Sequence, residues 1–318
     1  MDKPSKDPTS PRGTRPILAI VGPTGSGKND LAQDLAAQEN ALLVSVDSRK
    51  VYRGLDIGTA KPTVTARERF GYAMVDCADP EEHFSAGRYM REAREAVDQL
   101  VATDRPIILV GGTGFYLDAF LRGLPELPEV DWELRRQIRD RAEAVGWESM
   151  HADLAGFDPV FAARVHPRDK TRIRRAHEVH QQTGRPLSEW LAKSRVPYTR
   201  PVVVVCPDMP REILYERIGE RVLRMVRDGL FEEVQSLMAR GLGPDSPGMA
   251  TVGYLEGMEY VSGRQPQEET IQQIIHNTRL YAKRQMTWFR HRPYIHHIPL
   301  DHVIIQRLTG FLIGGNGL

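Results

Sequence analysis

Short apolar runs alternate with helical segments in the first half of the chain. Residues 17–21 form one such run that ends in a glycine turn, and helical spacing follows at 30–37, so the opening predicts strand, loop and helix. Further runs that predict buried strands lie at 42–46, 74–75, 107–110 and 202–206. Near-continuous apolar strands separated by helices are typical of a parallel sheet that is covered on both faces. The pattern predicts an α/β fold of this kind.

The strand signal disappears between residues 128 and 198, where charged, helical sequence takes over. Asp131 is a candidate N-cap, and Gly184 with Pro186 predicts a helix end. Two further amphipathic helices are predicted at 211–237 and 268–290. The predicted organisation is a disordered tail at 1–15, the first part of a core at 16–127, a helical insert at 128–198, the rest of the core with C-terminal helices at 199–300, and a C-terminal tail at 301–318.

The net charge of +1 conceals two basic stretches. Residues 161–200 hold ten Lys or Arg against three Asp or Glu, which is +7 locally, and residues 276–297 hold five with no acid. The second stretch is interleaved with Tyr281, Trp288, Phe289 and Tyr294. Basic residues mixed with stacking rings are typical of a protein that binds a polyanion carrying bases. Two solvated helix faces are the alternative interpretation.

The rest of the composition is that of an ordinary globular protein, with 27% charged and 41% apolar residues in 318. Cys77 and Cys206 lie far apart and lack metal-ligand spacing, so neither a disulfide framework nor a zinc site is expected. No apolar run has the length of a transmembrane helix, and the N-terminus lacks an export signal. We therefore expect a cytoplasmic protein without a membrane partner.

A glycine-rich loop follows the first predicted strand and precedes a helix. Its residues are Gly22, Pro23, Thr24, Gly25, Ser26, Gly27 and Lys28. This is the context of a Walker A loop, whose backbone N–H groups surround phosphate oxygens while the lysine adds a point charge. The loop predicts phosphate or nucleotide binding, including ATP. The next position usually carries a Ser or Thr that reaches Mg²⁺, but here Asn29 is the candidate metal ligand.

A long segment after the second predicted strand identifies a family. Residues 45–62 read Ser-Val-Asp-Ser-Arg-Lys-Val-Tyr-Arg-Gly-Leu-Asp-Ile-Gly-Thr-Ala-Lys-Pro. This segment closely resembles the hallmark of tRNA dimethylallyltransferases, in which a Gln commonly stands at the position of Lys50. Further similar motifs occur in the family's order: Asp79-Pro80 with Phe84-Ser85, residues 111–116, His166-Pro167 with Asp169 and Arg172, residues 183–186, and residues 284–290. The resemblance covers about residues 17–290 and implies a P-loop NTPase-like fold.

The resemblance implies transfer of a dimethylallyl group from dimethylallyl diphosphate to the exocyclic amine of adenosine 37 in tRNA. The P-loop, with Mg²⁺, would hold the diphosphate leaving group. Asp47, at the carboxyl end of the second strand, is the expected acceptor of the amine proton. By resemblance, Thr24 and Thr113 lie around the diphosphate and Arg221 approaches it. Thr113, Arg221 and Asp47 form the expected catalytic set.

The same resemblance implies an anticodon stem-loop as partner and a monomeric enzyme. The target adenine must leave its stack to reach the site. Asp47, Ser48, Arg49 and Lys50 are expected to meet the extruded base. The helical insert and the basic stretches would hold the stem, with contacts from Arg172, Arg175, Lys283 and Arg284.

Five departures from the family pattern leave alternatives open. They are Asn29, Lys50, Tyr72 with Ala73 in place of a His pair, Leu223 in place of an Asp, and Ala250 in place of a Gln. One alternative is a paralogue that binds tRNA with weak or no catalysis. Another is a P-loop kinase or adenylate prenyltransferase, which would not need the basic stretches.

Overall fold

The computed structural model describes residues 16–314. Five parallel strands form one sheet in the order β2-β3-β1-β4-β5. The strands are β1 (Ile17–Val21), β2 (Leu42–Ser45), β3 (Ile107–Gly111), β4 (Val202–Pro207) and β5 (Ile295–Ile298). The predicted α/β fold with a parallel sheet is confirmed.

Helices connect the strands and extend the chain beyond them. They are α1 (Lys28–Glu39), α2 (Val64–Phe70), α3 (Ala86–Val101), α4 (Gly114–Arg122), α5 (Trp132–Val145), α6 (Trp147–Phe157), α7 (Pro159–Ala162), α8 (Lys170–Thr183), α9 (Leu187–Leu191), α10 (Arg211–Arg227), α11 (Leu230–Ala239), α12 (Tyr254–Val261), α13 (Gln267–Arg290) and α14 (His302–Gly314). No helix in the described range 16–314 is long and apolar enough to cross a bilayer.

The two faces of the sheet bury separate apolar clusters. Alternate residues of β1 divide between them, with Ala19 on one face and Leu18 and Ile20 on the other. Every residue of β1, β2 and β3 is buried, which is why these strands read as continuous apolar runs. Neither face of the sheet is therefore exposed to solvent along these three strands.

One predicted strand, at 74–75, does not form, and one observed strand, β5, was not predicted. Residues 74–75 form no strand; Ala73 makes only an isolated bridge to Val44, and Met74 has a left-handed φ of 61° that breaks the extended backbone. Strand β5 was not predicted because its two central residues, His296 and His297, are polar and exposed. It joins the sheet through parallel pairing with β4.

The chain forms two compact units. One comprises the described residues up to Leu121 and from Pro197 onward, and the other is Arg122–Val196. The second unit contains helices α5 to α9 around its own core, which includes Ile138, Met150 and Ile173. The insert was expected at 128–198, and its boundaries in the structure lie a few residues earlier.

Caps explain where the helices of the second unit begin and end. Asp131 accepts a hydrogen bond from the Leu134 N–H at 3.0 Å and caps α5, as predicted. Gly184 ends α8 with a φ of 68°, also as predicted. Inside the unit, the fully buried Glu178 pairs with Arg135, whose Nε lies 2.6 Å from the carboxylate.

The C-terminal region and the predicted helix at 211–237 differ from expectation. The segment at 301–318, expected as a tail, carries α14, because Leu308, Phe311 and Leu312 bury against the cluster under α1. The predicted single helix is divided into α10 and α11, since Gly229 has a φ of 101°. The tail expected at 1–15 lies outside the described residues.

Candidate active site

The glycine-rich loop joins β1 to the first turn of α1. Gly25 and Gly27 have φ values of 86° and 77°, which let the backbone turn back on itself, and α1 begins at Lys28. Lys28 is 7% exposed, and its ammonium donates to the Pro23 carbonyl at 3.0 Å. Ser26 is fully buried, and its hydroxyl has no hydrogen-bond partner among residues 16–314. This is the loop-to-helix geometry that binds phosphate.

A glutamine on α13 fastens this loop to the end of β3. Gln285 accepts from the Thr24 N–H at 2.9 Å and donates to the Gly112 carbonyl at 2.8 Å. Because it is buried, its two hydrogen bonds fix one side of the loop. Gln285 belongs to the motif at 284–290, but nothing in the sequence predicted these two contacts.

Adjacent strands bring Asp47, Ser48 and Thr113 together. Asp47 follows β2 and Thr113 follows β3, which pair side by side. The Thr113 hydroxyl accepts from the Ser48 N–H at 3.0 Å, and the Thr113 N–H donates to the Val46 carbonyl at 3.1 Å. Since β1 is the other neighbour of β3, the phosphate loop ends at the same edge of the sheet.

The Asp47 carboxylate is held by its own turn. Its Oδ1 accepts from the Arg49 N–H at 2.8 Å and the Lys50 N–H at 3.3 Å. The other oxygen makes no hydrogen bond with any described residue. Tyr281 on α13 lies nearby and hydrogen-bonds to Thr113, and burial together with Asp47 raises the pKa of its hydroxyl to about 12. One carboxylate oxygen thus remains available to a substrate.

A cleft of about 890 Å³ opens beside the phosphate loop. It is bounded by the start of α1, by residues 56–67 and by one face of α10. Cationic side chains line it: Lys28, Lys50, Lys61, Arg67, Arg217, Arg221 and Arg224. Arg221 is oriented by a contact of 3.5 Å from its Nη2 to the Thr59 carbonyl.

Cations in the cleft perturb one another. Burial first, then repulsion from Lys50 and Arg221, lowers the pKa of Lys28 to about 7. Burial lowers the pKa of Lys50 to about 8, with Arg221 contributing and Asp47 opposing. Burial also lowers the pKa of Arg221. Cations crowded in this way are typical of a site that receives a multiply charged anion.

One wall of the cleft is held by a carboxylate that the sequence did not predict. Glu233 on α11 accepts from the backbone N–H groups of Asp56, Ile57 and Gly58 at 2.9–3.2 Å, and from the Tyr254 hydroxyl. The three backbone donors lie some 175 residues before Glu233, and Tyr254 lies 21 residues after it, so local sequence gave no signal of these contacts. Glu233 thereby fixes the turn that precedes Thr59.

Several side chains with oxygen atoms line the cleft, but they form no cluster typical of a protein metal site among the described residues. Within residues 16–314 no group of three or more His, Cys, Asp or Glu side chains could hold a metal ion. Asn29 and Asp30 line the cleft next to Lys28. Mg²⁺ usually keeps several waters and binds one or two carboxylates plus substrate phosphates. The donor set fits a magnesium ion carried by a diphosphate, and does not fit an all-protein cage.

The residues expected to contact tRNA fall into several settings. Lys283 and Arg284 are exposed on α13, and Arg49 donates to the Pro247 carbonyl at 3.1 Å. Arg172 is exposed in the second unit and pairs with Asp169. Arg175 instead pairs with the buried Glu178 and donates to the Pro128 carbonyl at 2.7 Å. Arg175 is therefore held by neighbours within the second unit, and its contact with tRNA stays a prediction.

Of the remaining departures from the family pattern, Tyr72 lines the cleft together with Gln33, and the other three do not. Tyr72 accepts a hydrogen bond from Gln33 at 3.3 Å through its hydroxyl, and Ala73 bridges to β2. Leu223 and Ala250 are exposed. None of the four interrupts the contacts of Lys28, Asp47 or Thr113.

A Walker A loop after β1, a cationic cleft beside it, and a carboxylate after β2 at the same edge of a parallel sheet define a P-loop α/β protein. The family model described as IPP transferase matches residues 50–292. The chain belongs to the IPP transferase family.

Known proteins are similar to this chain over most of its length. A tRNA dimethylallyltransferase of Methylococcus capsulatus is 45% identical over 86% of this chain and 89% of its own. A tRNA dimethylallyltransferase 2 of Geotalea uraniireducens is 42% identical over 86% and 88%. The crystal structure of a tRNA isopentenylpyrophosphate transferase from Bacillus halodurans covers 94% of this chain and 96% of its own, with a TM-score of 0.68 and 33% identity. The resemblance seen in the sequence is confirmed.

Proposed function

We propose that this chain transfers a dimethylallyl group from dimethylallyl diphosphate to the exocyclic amine of adenosine 37 in tRNA, giving isopentenyladenosine. The transfer of a dimethylallyl group to tRNA follows from membership of the family and from relatives named for that reaction. The observation that carries the proposal is the cationic cleft at the phosphate loop, on the same sheet edge as Asp47. The cleft would hold the donor and the edge would receive the acceptor.

The phosphate loop stabilises the leaving group. As the allylic C–O bond breaks, its electron pair stays on the diphosphate, whose negative charge rises. Backbone N–H groups of the loop and the Lys28 ammonium are fixed before the reaction, so they stabilise that charge without reorganising. Arg221, held by Thr59, adds a planar cation suited to phosphate oxygens.

Asp47 accepts the proton of the amine. The nitrogen forms its new bond to the allylic carbon and loses one hydrogen, so a nearby carboxylate assists as bonding begins. The Oδ1 atom is anchored by two backbone N–H groups, which leaves Oδ2 for the amine. Ser48 and Thr113 hold the turn in place, and Thr113 also contacts Tyr281.

Asn29 and Asp30 would hold Mg²⁺ together with the diphosphate. Such an ion supplies further positive charge to the leaving oxygens. We further propose a cytoplasmic monomer that binds the anticodon stem-loop through exposed cations such as Lys283, Arg284 and Arg172.

The direct test is incubation of the purified chain with dimethylallyl diphosphate, Mg²⁺ and tRNA. Mass spectrometry of the digested tRNA is expected to reveal isopentenyladenosine at position 37. Free adenosine monophosphate, offered in place of tRNA, is expected to remain unmodified. Prenylation of the free nucleotide, or an absence of product at every Mg²⁺ concentration, would contradict the proposal.

A further inference from the structure

Lys50 is a buried cation without a partner. It is 8% exposed, and its ammonium makes no hydrogen bond or ion pair with any residue in the described part of the chain. The two other lysines of the cleft are satisfied: Lys28 donates to the Pro23 carbonyl, and Lys61 pairs with Asp56 and Asp76 at 2.6 Å each. The ammonium opens on the cleft and is not sealed from water, but burial of most of the side chain disfavours its charged form, which a bound anion would stabilise.

The surroundings of Lys50 favour an anion. Lys50 lines the cleft together with Lys28 and Arg221, and the other charged groups that act on it are Asp47, Lys61 and Asp30. The Oδ1 atom of Asp47 is already bonded to backbone N–H groups, and Lys61 is neutralised by its own two carboxylates. Seven cations line the cleft against four carboxylates, Asp30, Asp56, Glu220 and Asp228, so positive charge is in excess there.

The chemistry of the Lys50 side chain makes it poorly suited to recognise the target adenine. An ammonium has three donors and no acceptor, so it cannot receive a hydrogen bond from the exocyclic amine of adenine. It can, however, donate to several phosphate oxygens at once. A partly buried, cation-lined cleft is also where such bonds are strong, because water screens them less.

We propose that Lys50 binds the diphosphate of the prenyl donor directly, as a second lysine opposite the one in the phosphate loop. The donor's identity in this assignment rests on the proposed function, but the diphosphate contact can be tested without tRNA. The inference reassigns Lys50 from the extruded base to the leaving group. The diphosphate would give this ammonium the partner that the protein alone does not supply.

Calorimetric titration of the full chain with inorganic pyrophosphate tests the assignment. Lys50→Gln is expected to weaken binding at least tenfold, whereas Lys50→Arg, which keeps the charge, stays within about threefold of the wild type. Lys170→Gln removes an exposed lysine from the second unit and controls for the loss of one positive charge. It is expected to change the affinity less than twofold.

The melting temperature without ligand separates a binding role from a structural one. Removing an unpaired buried cation relieves repulsion on Lys28 and Arg221, so Lys50→Gln is expected to melt at the same temperature or higher. If Lys50→Gln does not fold, Lys50→Met is used in its place in both measurements, since it keeps a long, unbranched side chain without the charge. Pyrophosphate affinity unchanged in the folded neutral variant, or no binding by the wild type, overturns the proposal.

Steady-state kinetics distinguishes the two possible contacts. A raised KM for the donor with an unchanged KM for tRNA supports the diphosphate contact. The reverse pattern would make Lys50 a base contact and overturn the proposal. If the wild type binds pyrophosphate with the expected dependence on Lys50 but forms no prenylated tRNA, the proposed function fails while the Lys50 assignment stands.

Discussion

Asp47 combines a fixed position with a free oxygen. Its Oδ1 accepts hydrogen bonds from two backbone N–H groups of its own turn. Because Asp47 directly follows β2, it lies at the edge of the sheet that carries the phosphate loop. A carboxylate that must take a proton at a defined point benefits from such anchoring, since no side-chain freedom is lost during the reaction. The turn therefore serves both structure and chemistry.

Asp47→Asn is expected to lower the rate of prenyl transfer roughly 10²–10⁴-fold. The amide oxygen can still accept the bonds from Arg49 and Lys50, so the turn is kept, but the amide cannot accept the proton. Single-turnover assays with saturating donor measure the rate, and pyrophosphate titration serves as the control. Equal losses of rate and of pyrophosphate affinity would point to a damaged loop and contradict the assigned role.

The buried Lys50 links stability to pH. Its pKa is lowered to about 8 in the folded protein from an ordinary 10.5, so between these values the unfolded chain binds more protons. Stability is therefore expected to rise as pH increases through this window, by at most roughly 3 kcal/mol from this group.

Melting curves at pH 7.5 and pH 10 for the wild type and Lys50→Gln check this expectation. The variant lacks the group, so its melting temperature should gain less from the higher pH than that of the wild type. An identical pH response of the two proteins would mean that Lys50 titrates normally in the folded state.

At the scale of elements, helix α11 acts as a brace for the cleft. Glu233 accepts three backbone N–H groups of the turn at 56–58 and the Tyr254 hydroxyl of α12. The next residue along, Thr59, presents the carbonyl that contacts Arg221. One side chain thus connects two helices to the wall of the phosphate site, and its effect on Arg221 is indirect.

Glu233→Ala is expected to destabilise the protein by roughly 2–3 kcal/mol, because several donors lose a charged acceptor. It should also raise KM for the donor more than it lowers kcat, since the turn that orients Arg221 loosens. Chemical denaturation and steady-state kinetics measure the two effects. Glu232→Ala alters the exposed neighbour on the same helix and should change stability by no more than about 0.5 kcal/mol. If Glu233→Ala and Glu232→Ala have equal effects, Glu233 does not hold the turn at 56–58 in the way described.

At the scale of the whole molecule, cations serve two separate purposes. Some are tied into the fold: Arg175 with Glu178, Arg292 with Asp118, and Arg279 with the Tyr215 carbonyl. Others are exposed, among them Lys283, Arg284 and Arg172, of which Arg172 pairs with the neighbouring Asp169; we propose that these bind tRNA. Charge counts along the sequence could not separate the two groups, because Asp118 and the Tyr215 carbonyl lie far along the chain from their partners and the burial of Glu178 depends on packing.

The double substitution Lys283→Gln with Arg284→Gln is expected to weaken tRNA binding and to reduce the steepness of its salt dependence. Two lost phosphate contacts should lower the slope of log K against log salt by about 1.4 to 1.8. Filter binding over a range of salt concentrations measures the slope, with pyrophosphate affinity as an internal control that should not change. An unaltered slope would remove these two residues from the tRNA surface.

Much of the fold and part of the site followed from local pattern. Residues 17–28 predicted strand, loop and helix because apolar periodicity, glycines and the lysine all act within a few residues of one another. Asp131 and Gly184 predicted a helix start and a helix end for the same reason. The prediction of a strand at 74–75 was wrong because Met74 has a left-handed backbone conformation, which interrupts an extended strand although both side chains are apolar.

The sequence by itself determined the parallel sheet, the phosphate loop and the family, since each depends on contiguous residues whose order is enough to identify them. Only the tertiary structure decided that Gln285 fastens the loop, that Glu233 braces the cleft, and that Lys50 lies unpaired beside Lys28. The physical reason is distance along the chain: these contacts join residues that are brought together only when strands and helices pack, and no local pattern encodes their partners.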